Sequence, residues 1–198
     1  LSKLNTKAIA QTEDGTLWFG TDKGLYSSKF SNKTFENAKK TKLPEENIWT
    51  LAADTDNNLW IGTYGFGLFQ LNYKTNQLSQ INVIDDFIKS SSRNFIKSVF
   101  VDNENNVWIG YWGVGLARIN TSTSKTNYWR HNTTDASSLS HDDVWVIYQD
   151  SKNRIWIGTN GGGISLFDKQ NGGIFYRLSY DLKNKNGLSS NSIYSIAE

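Results

Sequence analysis

Cysteine and methionine are missing from this chain of 198 residues, and proline occurs once, at Pro44. Without cysteine there is no disulfide framework, no thiolate nucleophile and no Cys-based metal site. That lack fits the cytosol and a Gram-negative periplasm equally well. No apolar run approaches the roughly 20 residues that a membrane-spanning helix needs. The chain opens at Leu1 without a signal-peptide pattern. With no Met anywhere, it reads as an internal fragment whose targeting segment, if there is one, lies outside it. Charge of one sign is lacking too: the formal net charge is +2, with acidic and basic residues interspersed. No basic stripe for nucleic acid and no acidic tail marks the chain. No stretch keeps a 3.6-residue apolar period long enough for a helix.

Aromatic surface is abundant instead. Aromatics make 14% of the chain, with eight Trp, and 37% of residues are hydrophobic. Such a Pro-poor chain points to packed β-structure over disorder or a helical bundle.

The tryptophans are ordered. Leu17-Trp18-Phe19-Gly20 returns as Leu59-Trp60-Ile61-Gly62, Val107-Trp108-Ile109-Gly110 and Ile155-Trp156-Ile157-Gly158, with spacings of 42, 48 and 48. Periods in the 40s suit four-stranded propeller blades. Each unit divides into strand-sized pieces. An apolar run (Ile48–Asp54, Ile96–Asp102, Val144–Asp150) leads into a polar turn such as Asp56-Asn57-Asn58. Asn and Gly tolerate positive φ, so these are hairpin turns. The Trp strand follows, then a Gly-rich turn such as Tyr64-Gly65-Phe66-Gly67, a third strand and a weaker fourth. The fold class is therefore all-β: four four-stranded antiparallel propeller repeats plus the first strand of a fifth, a fragment of a larger propeller. The repeats run approximately over 4–45, 46–93, 94–141 and 142–190, with the next beginning at 191–198.

In this scheme Trp18, Trp60, Trp108 and Trp156 are inter-blade packing wedges. Gly20, Gly62, Gly110 and Gly158 mark close approaches of a neighbouring blade. An open arc of four blades would expose two apolar faces. It can close as a small ring, pair with a second copy, or belong to a larger ring; pairing is the expected outcome.

The phrase Ser138-Leu139-Ser140-His141-Asp142-Asp143-Val144-Trp145, running on to Arg154-Ile155-Trp156-Ile157-Gly158-Thr159-Asn160-Gly161-Gly162-Gly163, resembles the two-component regulator propeller repeat. It recurs at Glu46–Leu68 and, weakened, at Asn94–Leu116. The resemblance implies the periplasmic sensor region of a membrane-spanning histidine kinase. It is often of the hybrid kind that controls polysaccharide use in Bacteroidetes, with two seven-bladed propellers, an immunoglobulin-like domain, a membrane helix and kinase modules. The first repeat departs from the pattern. Its Asp22-Lys23-Gly24 turn is one residue shorter, and Thr12 stands where Asp54, Asp102 and Asp150 stand.

Framework residues repeat, whereas site residues differ. The Gly-rich turns supply Asp22, Tyr64, Phe66, Trp112 and Asn160; the lead-ins to first strands supply Trp49, Arg93, His141, Asp142 and Trp145. Flat aromatics beside a few hydrogen-bonding groups suit a sugar ring, so the expected ligand, taken with the resemblance, is an oligosaccharide. No cofactor, metal or nucleic-acid partner is expected, nor membrane contact from this segment. The alternative is a scaffold that self-associates through apolar blade faces without a ligand of its own. Catalysis is the least favoured class. The two histidines, His131 and His141, lie in one loop-rich stretch, and the carboxylate pairs Asp85-Asp86 and Asp142-Asp143 are loop neighbours that do not face each other across a substrate.

Overall fold

The computed structural model describes residues 4–31, 34–36, 39–41, 47–83, 94–184 and 187–198. These fall into two compact units, Leu1–Val101 and Asp102–Glu198, and the described residues form strands and turns with no helix.

In the first unit, β1 (Thr6–Gln11), β2 (Thr16–Thr21) and β3 (Gly24–Ser31) form an antiparallel meander. The fourth place is divided between two short pieces that both pair with β3, β4 (Thr34–Phe35) and β5 (Lys39–Lys40). The second sheet is a regular meander of β6 (Ile48–Ala53), β7 (Asn58–Thr63), β8 (Leu68–Asn72) and β9 (Gln77–Ile81). β10 (Ile96–Val101) opens the third sheet. Trp18, Leu25, Ile48, Leu59, Ile61, Phe69 and Leu71 make a buried core. In the second unit, β11 (Asn106–Tyr111), β12 (Leu116–Asn120) and β13 (Lys125–Trp129) complete the third sheet. The fourth is β14 (Val144–Gln149), β15 (Ile155–Thr159), β16 (Ile164–Asp168) and β17 (Ile174–Leu178).

The repeated Trp is held by a carboxylate six residues earlier. The indole N–H of Trp60, Trp108 and Trp156 donates to Oδ2 of Asp54, Asp102 and Asp150, each at 2.8 Å. The other oxygen of each Asp accepts two backbone N–H groups of the hairpin turn, as Asp102 does from Glu104 and Asn106. The Asn at the turn's apex takes positive φ, 65° at Asn57 and 62° at Asn105 and Asn153, as its short polar side chain allows. One buried Asp therefore fixes turn, register and Trp rotamer together. In the first sheet Trp18 donates to Thr12 Oγ1 at 3.1 Å, and Asp14 replaces the missing carboxylate by accepting from the Thr12 hydroxyl and the Thr16 N–H.

The repeated glycines are seats for the next first strand. A Cβ on Gly20 would stand 2.6 Å from Ile48 Cγ2, on Gly62 2.6 Å from Ile96 Cγ2, and on Gly110 2.6 Å from Val144 Cγ1. On Gly158 it would meet Ile193 at 2.7 Å. Asn191–Ile193 thus takes the place that opens a further first strand, with Ile193 N–H donating to Thr159 O at 2.9 Å. Beyond the isolated bridge at Ser192, residues 193–198 adopt no regular strand.

Burial by itself would push the Asp150 carboxyl up. The Trp156 indole, the Arg154 backbone N–H and the Arg154 guanidinium outweigh it and hold the pKa at about 2. A folded-state pKa below the ordinary value near 3.8 gives stability that is present above pH 4 and lost as pH falls toward 2. Asp14, Asp135 and Asp168 are shifted in the same direction. The urea midpoint is therefore expected to drop between pH 5 and pH 2, and to drop less steeply in Asp150→Asn; equal slopes would remove Asp150 from the acid response.

Candidate functional site

The first strands are not regular where they begin. The register slips by one residue between Thr6 and Ala8, Ile48 and Thr50, and Val144 and Val146. Each slip is a β-bulge, which leaves one residue out of the ladder and re-aims its side chain. The residues lifted out are Lys7, Trp49 and Trp145. They stand at the strand ends that carry the Gly-rich turns, so within each unit bulges and turns together build a candidate face.

In the first unit Trp49 stacks on Tyr64, with centroids 4.8 Å apart, and Tyr64 stacks on Phe95 at 4.4 Å. Lys97 and Lys7 hold their ammonium groups 4.0 and 5.0 Å from the Trp49 ring, at distances where a cation is drawn to an aromatic face. Tyr64 is 37% exposed and Phe66 54%, so these two rings present the accessible apolar surface here. Phe66 is fixed through its backbone: its N–H donates to Thr63 Oγ1, and its carbonyl accepts from Gln80 Nε2. Asp22 is engaged locally, its Oδ1 accepting from Asn5 N–H and its own N–H donating to Asn5 O. Arg93 lies outside the described residues.

In the second unit the expected residues converge on one they did not include, Asp143. Its Oδ1 accepts the Trp145 indole N–H at 3.0 Å and its Oδ2 the Asn160 amide at 3.0 Å. Asn160 Oδ1 accepts from the Ser192 hydroxyl, and Tyr194 packs 4.7 Å from Trp145. Asp142 Oδ1 accepts the backbone N–H of His131, and Asp142 O accepts from Gly115 N–H, which ties it to the turn bearing Trp112. Trp112 itself is 42% exposed. His131 and His141 lie 6.4 Å apart with nearly parallel rings. Nδ1 of His131 faces the Leu139 carbonyl, which can only accept, so that nitrogen carries the proton. Nδ1 of His141 accepts from Asp143 N–H. With its Nδ1 accepting, His141 has an N–H donor at Nε2. Among the described residues no group of three or more His, Asp or Glu could hold a metal ion.

Lys7, Phe95, Lys97, Asp143 and Tyr194 were not among the residues expected from sequence. A signal for four of them existed: Lys7, Lys97 and Tyr194 occupy the strand position of Trp49 and Trp145, and Asp143 immediately precedes a first strand.

Residues 1–23, 42–65 and 138–161 match the two component regulator propeller family. A search of the curated proteins found no match. Among solved structures, the chain is similar to the extracellular domain of the putative hybrid two component system BT4673 from B. thetaiotaomicron, at 21% identity and a TM-score of 0.73, over 96% of this chain and 24% of that one. It is also similar to the corresponding domain of BT3049 from the same organism, at 18% identity and TM-score 0.55, over 98% and 37%. Catalytically inactive virginiamycin B lyase from Staphylococcus aureus with quinupristin matches at 12% identity and TM-score 0.60, over 87% and 59%. The chain spans 24% and 37% of the length of the two sensor domains. Likeness at these identities establishes the propeller fold, and no helix among the described residues is long and apolar enough to cross a membrane, which leaves β-barrels aside. Three of its Trp–Gly units thus lie in segments that match the two component regulator propeller family.

Proposed function

We propose that these blades are part of the periplasmic, non-catalytic sensor region of a two-component histidine kinase, and that they take part in reading glycan fragments. One observation carries the reading: bulged first strands and Gly-rich turns stack Trp49 on Tyr64 in one unit and link Trp145 through Asp143 to His141 in the other, with Phe66 and Trp112 exposed on those turns. Exposed rings beside hydrogen-bonding side chains match a sugar's C–H face and hydroxyls. The similarity to extracellular domains of two-component systems supports the sensor role. Asp142 and Asp143 are both engaged in hydrogen bonds that order the turn, which supports binding over acid–base chemistry.

A scaffold role is favoured by a different observation. Ile9 is 64% exposed on β1, and Phe30 on β3 and Phe35 on β4 of the same sheet are exposed as well. Calorimetric titration of glycan oligosaccharides, with light scattering on the same samples, separates the two. The sensing role predicts that Phe66→Ala and Trp112→Ala each weaken binding about three- to tenfold, the worth of one lost ring contact. A concentration-dependent dimer that binds no oligosaccharide would favour the scaffold.

A further inference from the structure

At the opposite strand ends from the candidate face, the second unit has a cleft of about 210 Å³ between its two sheets. At about 30 Å³ per liquid water, that is room for about seven. Trp108 and Phe167 form its walls and Arg118 lies within it. The guanidinium carbon of Arg118 is 5.3 Å from the Trp108 ring, 5.7 Å from Trp129 and 5.8 Å from Phe167. The side chain is therefore held by faces of rings, which leave its outer N–H groups little to bond. Nε is buried without a partner, and the contact from Nη2 to Asn127 Oδ1 is long, at 3.4 Å. The other polar groups at the cleft are engaged. Asp102 is bound to its turn and Trp108, Asn103 exchanges hydrogen bonds with Gln149, and Lys169 pairs with Glu104 at 2.5 Å.

This arginine is not needed to build the cleft. The first unit has the corresponding space, lined by Asp14, Trp18, Ser27 and Tyr73 where Glu104, Trp108, Arg118 and Lys169 stand here. The cross-strand partner of the repeated Trp is Ser27, Gln70, Arg118 and Leu166 in turn. The wedge repeats, and the charge opposite it occurs once.

We propose that this cleft binds a small monocarboxylate, held end-on by the outer N–H groups of Arg118 against the Trp108 and Phe167 walls. A planar guanidinium can hold a carboxylate through two parallel N–H···O bonds. Lys169 hydrogen-bonds Glu104 and holds its carboxyl below the ordinary value, so Glu104 is engaged by Lys169 and leaves Arg118 to the ligand. The site is separate from the glycan face and does not rest on it.

The test is an amide and indole N–H NMR titration of the 198-residue chain with sodium acetate, sodium glucuronate and inorganic phosphate in turn. Saturable shifts of the Trp108 and Trp129 indole signals with a carboxylate are expected. They should require at least tenfold more ligand in Arg118→Ser, which copies the residue of the first unit's cleft. A response to glucuronate alone supports the site with a sugar acid as its source; a response to acetate as well supports it for free small acids. Phosphate binding as tightly as carboxylate would overturn the proposal, as would an absent response in the parent chain, or an unchanged one in Arg118→Ser. Should Arg118→Ser fail to fold, the parent titration and Arg118→Lys, which keeps the charge without the planar fork and must weaken acetate binding at least about threefold, still decide it.

Discussion

Trp108→Ala is expected to lower the unfolding free energy by about 3–5 kcal/mol, the usual cost of deleting a buried large aromatic side chain. Trp108 is 1% exposed and touches Trp129 at 5.7 Å and Phe167 at 5.0 Å. Its removal leaves a void that rigid rings cannot readily fill. It also takes one donor from the buried Asp102 carboxylate, which keeps its bonds from the turn and from Asn106. Because small domains are stable by only about 5–15 kcal/mol, the urea midpoint followed by circular dichroism should fall by about a fifth or more. Trp108→Phe should recover much of the packing but not the hydrogen bond, worth about 1.5–3 kcal/mol to a charged acceptor. A loss below 1 kcal/mol for Trp108→Ala would mean that the repeated Trp is not the wedge the packing makes it.

The second large effect comes from adding one methyl group. Gly110→Ala would put a Cβ 2.6 Å from Val144 Cγ1 and 3.1 Å from the Val144 carbonyl oxygen. The side chain can rotate away; the carbonyl belongs to the backbone of β14 and cannot do so cheaply. Overpacking of this kind costs about 1–3 kcal/mol. The test is a double-mutant cycle with Val144→Ala, which removes the nearer clash. Coupling above about 0.5 kcal/mol would show that the two positions interact. Strict additivity would mean that the blade backbones part without involving the valine.

The frame of this protein was readable because its strongest determinants repeat. Trp60, Trp108 and Trp156 share one spacing to their aspartates and one spacing to their glycines, and a pattern that returns every 42 to 48 residues leaves little choice of architecture. The first unit's exception was visible as Thr12, whereas its remedy was not. Asp14 restores the turn by a route that depends on which oxygen meets which hydroxyl, and no spacing rule encodes that. The candidate face was legible only in part. Loop lengths brought Trp49 near Tyr64 and Asn160 near the start of β14, but the bulges that re-aim Lys7, Trp49 and Trp145 leave no mark in composition. Asp143 was overlooked because beside Asp142 it looks like a solvated turn neighbour; only the fold turns it inward toward Trp145 and Asn160. Arg118 escaped notice for the opposite reason, since a lone arginine in a third strand is ordinary until its three ring neighbours are seen.

The two repeated devices differ in reach, and that difference has a kinetic consequence. The Asp–turn–Trp clamp closes over six residues, so loop closure for it costs little chain entropy and it can form within a single hairpin. The glycine seat needs a strand from the following repeat, 28 to 35 residues downstream of the glycine it covers. Each repeat thus carries a local nucleus of its own, while cooperativity passes only from neighbour to neighbour, as in a one-dimensional array. Repeats of this design can be duplicated or lost without re-inventing the hairpin. What each rearrangement must satisfy anew is one methyl-sized gap and the branched side chain that fills it.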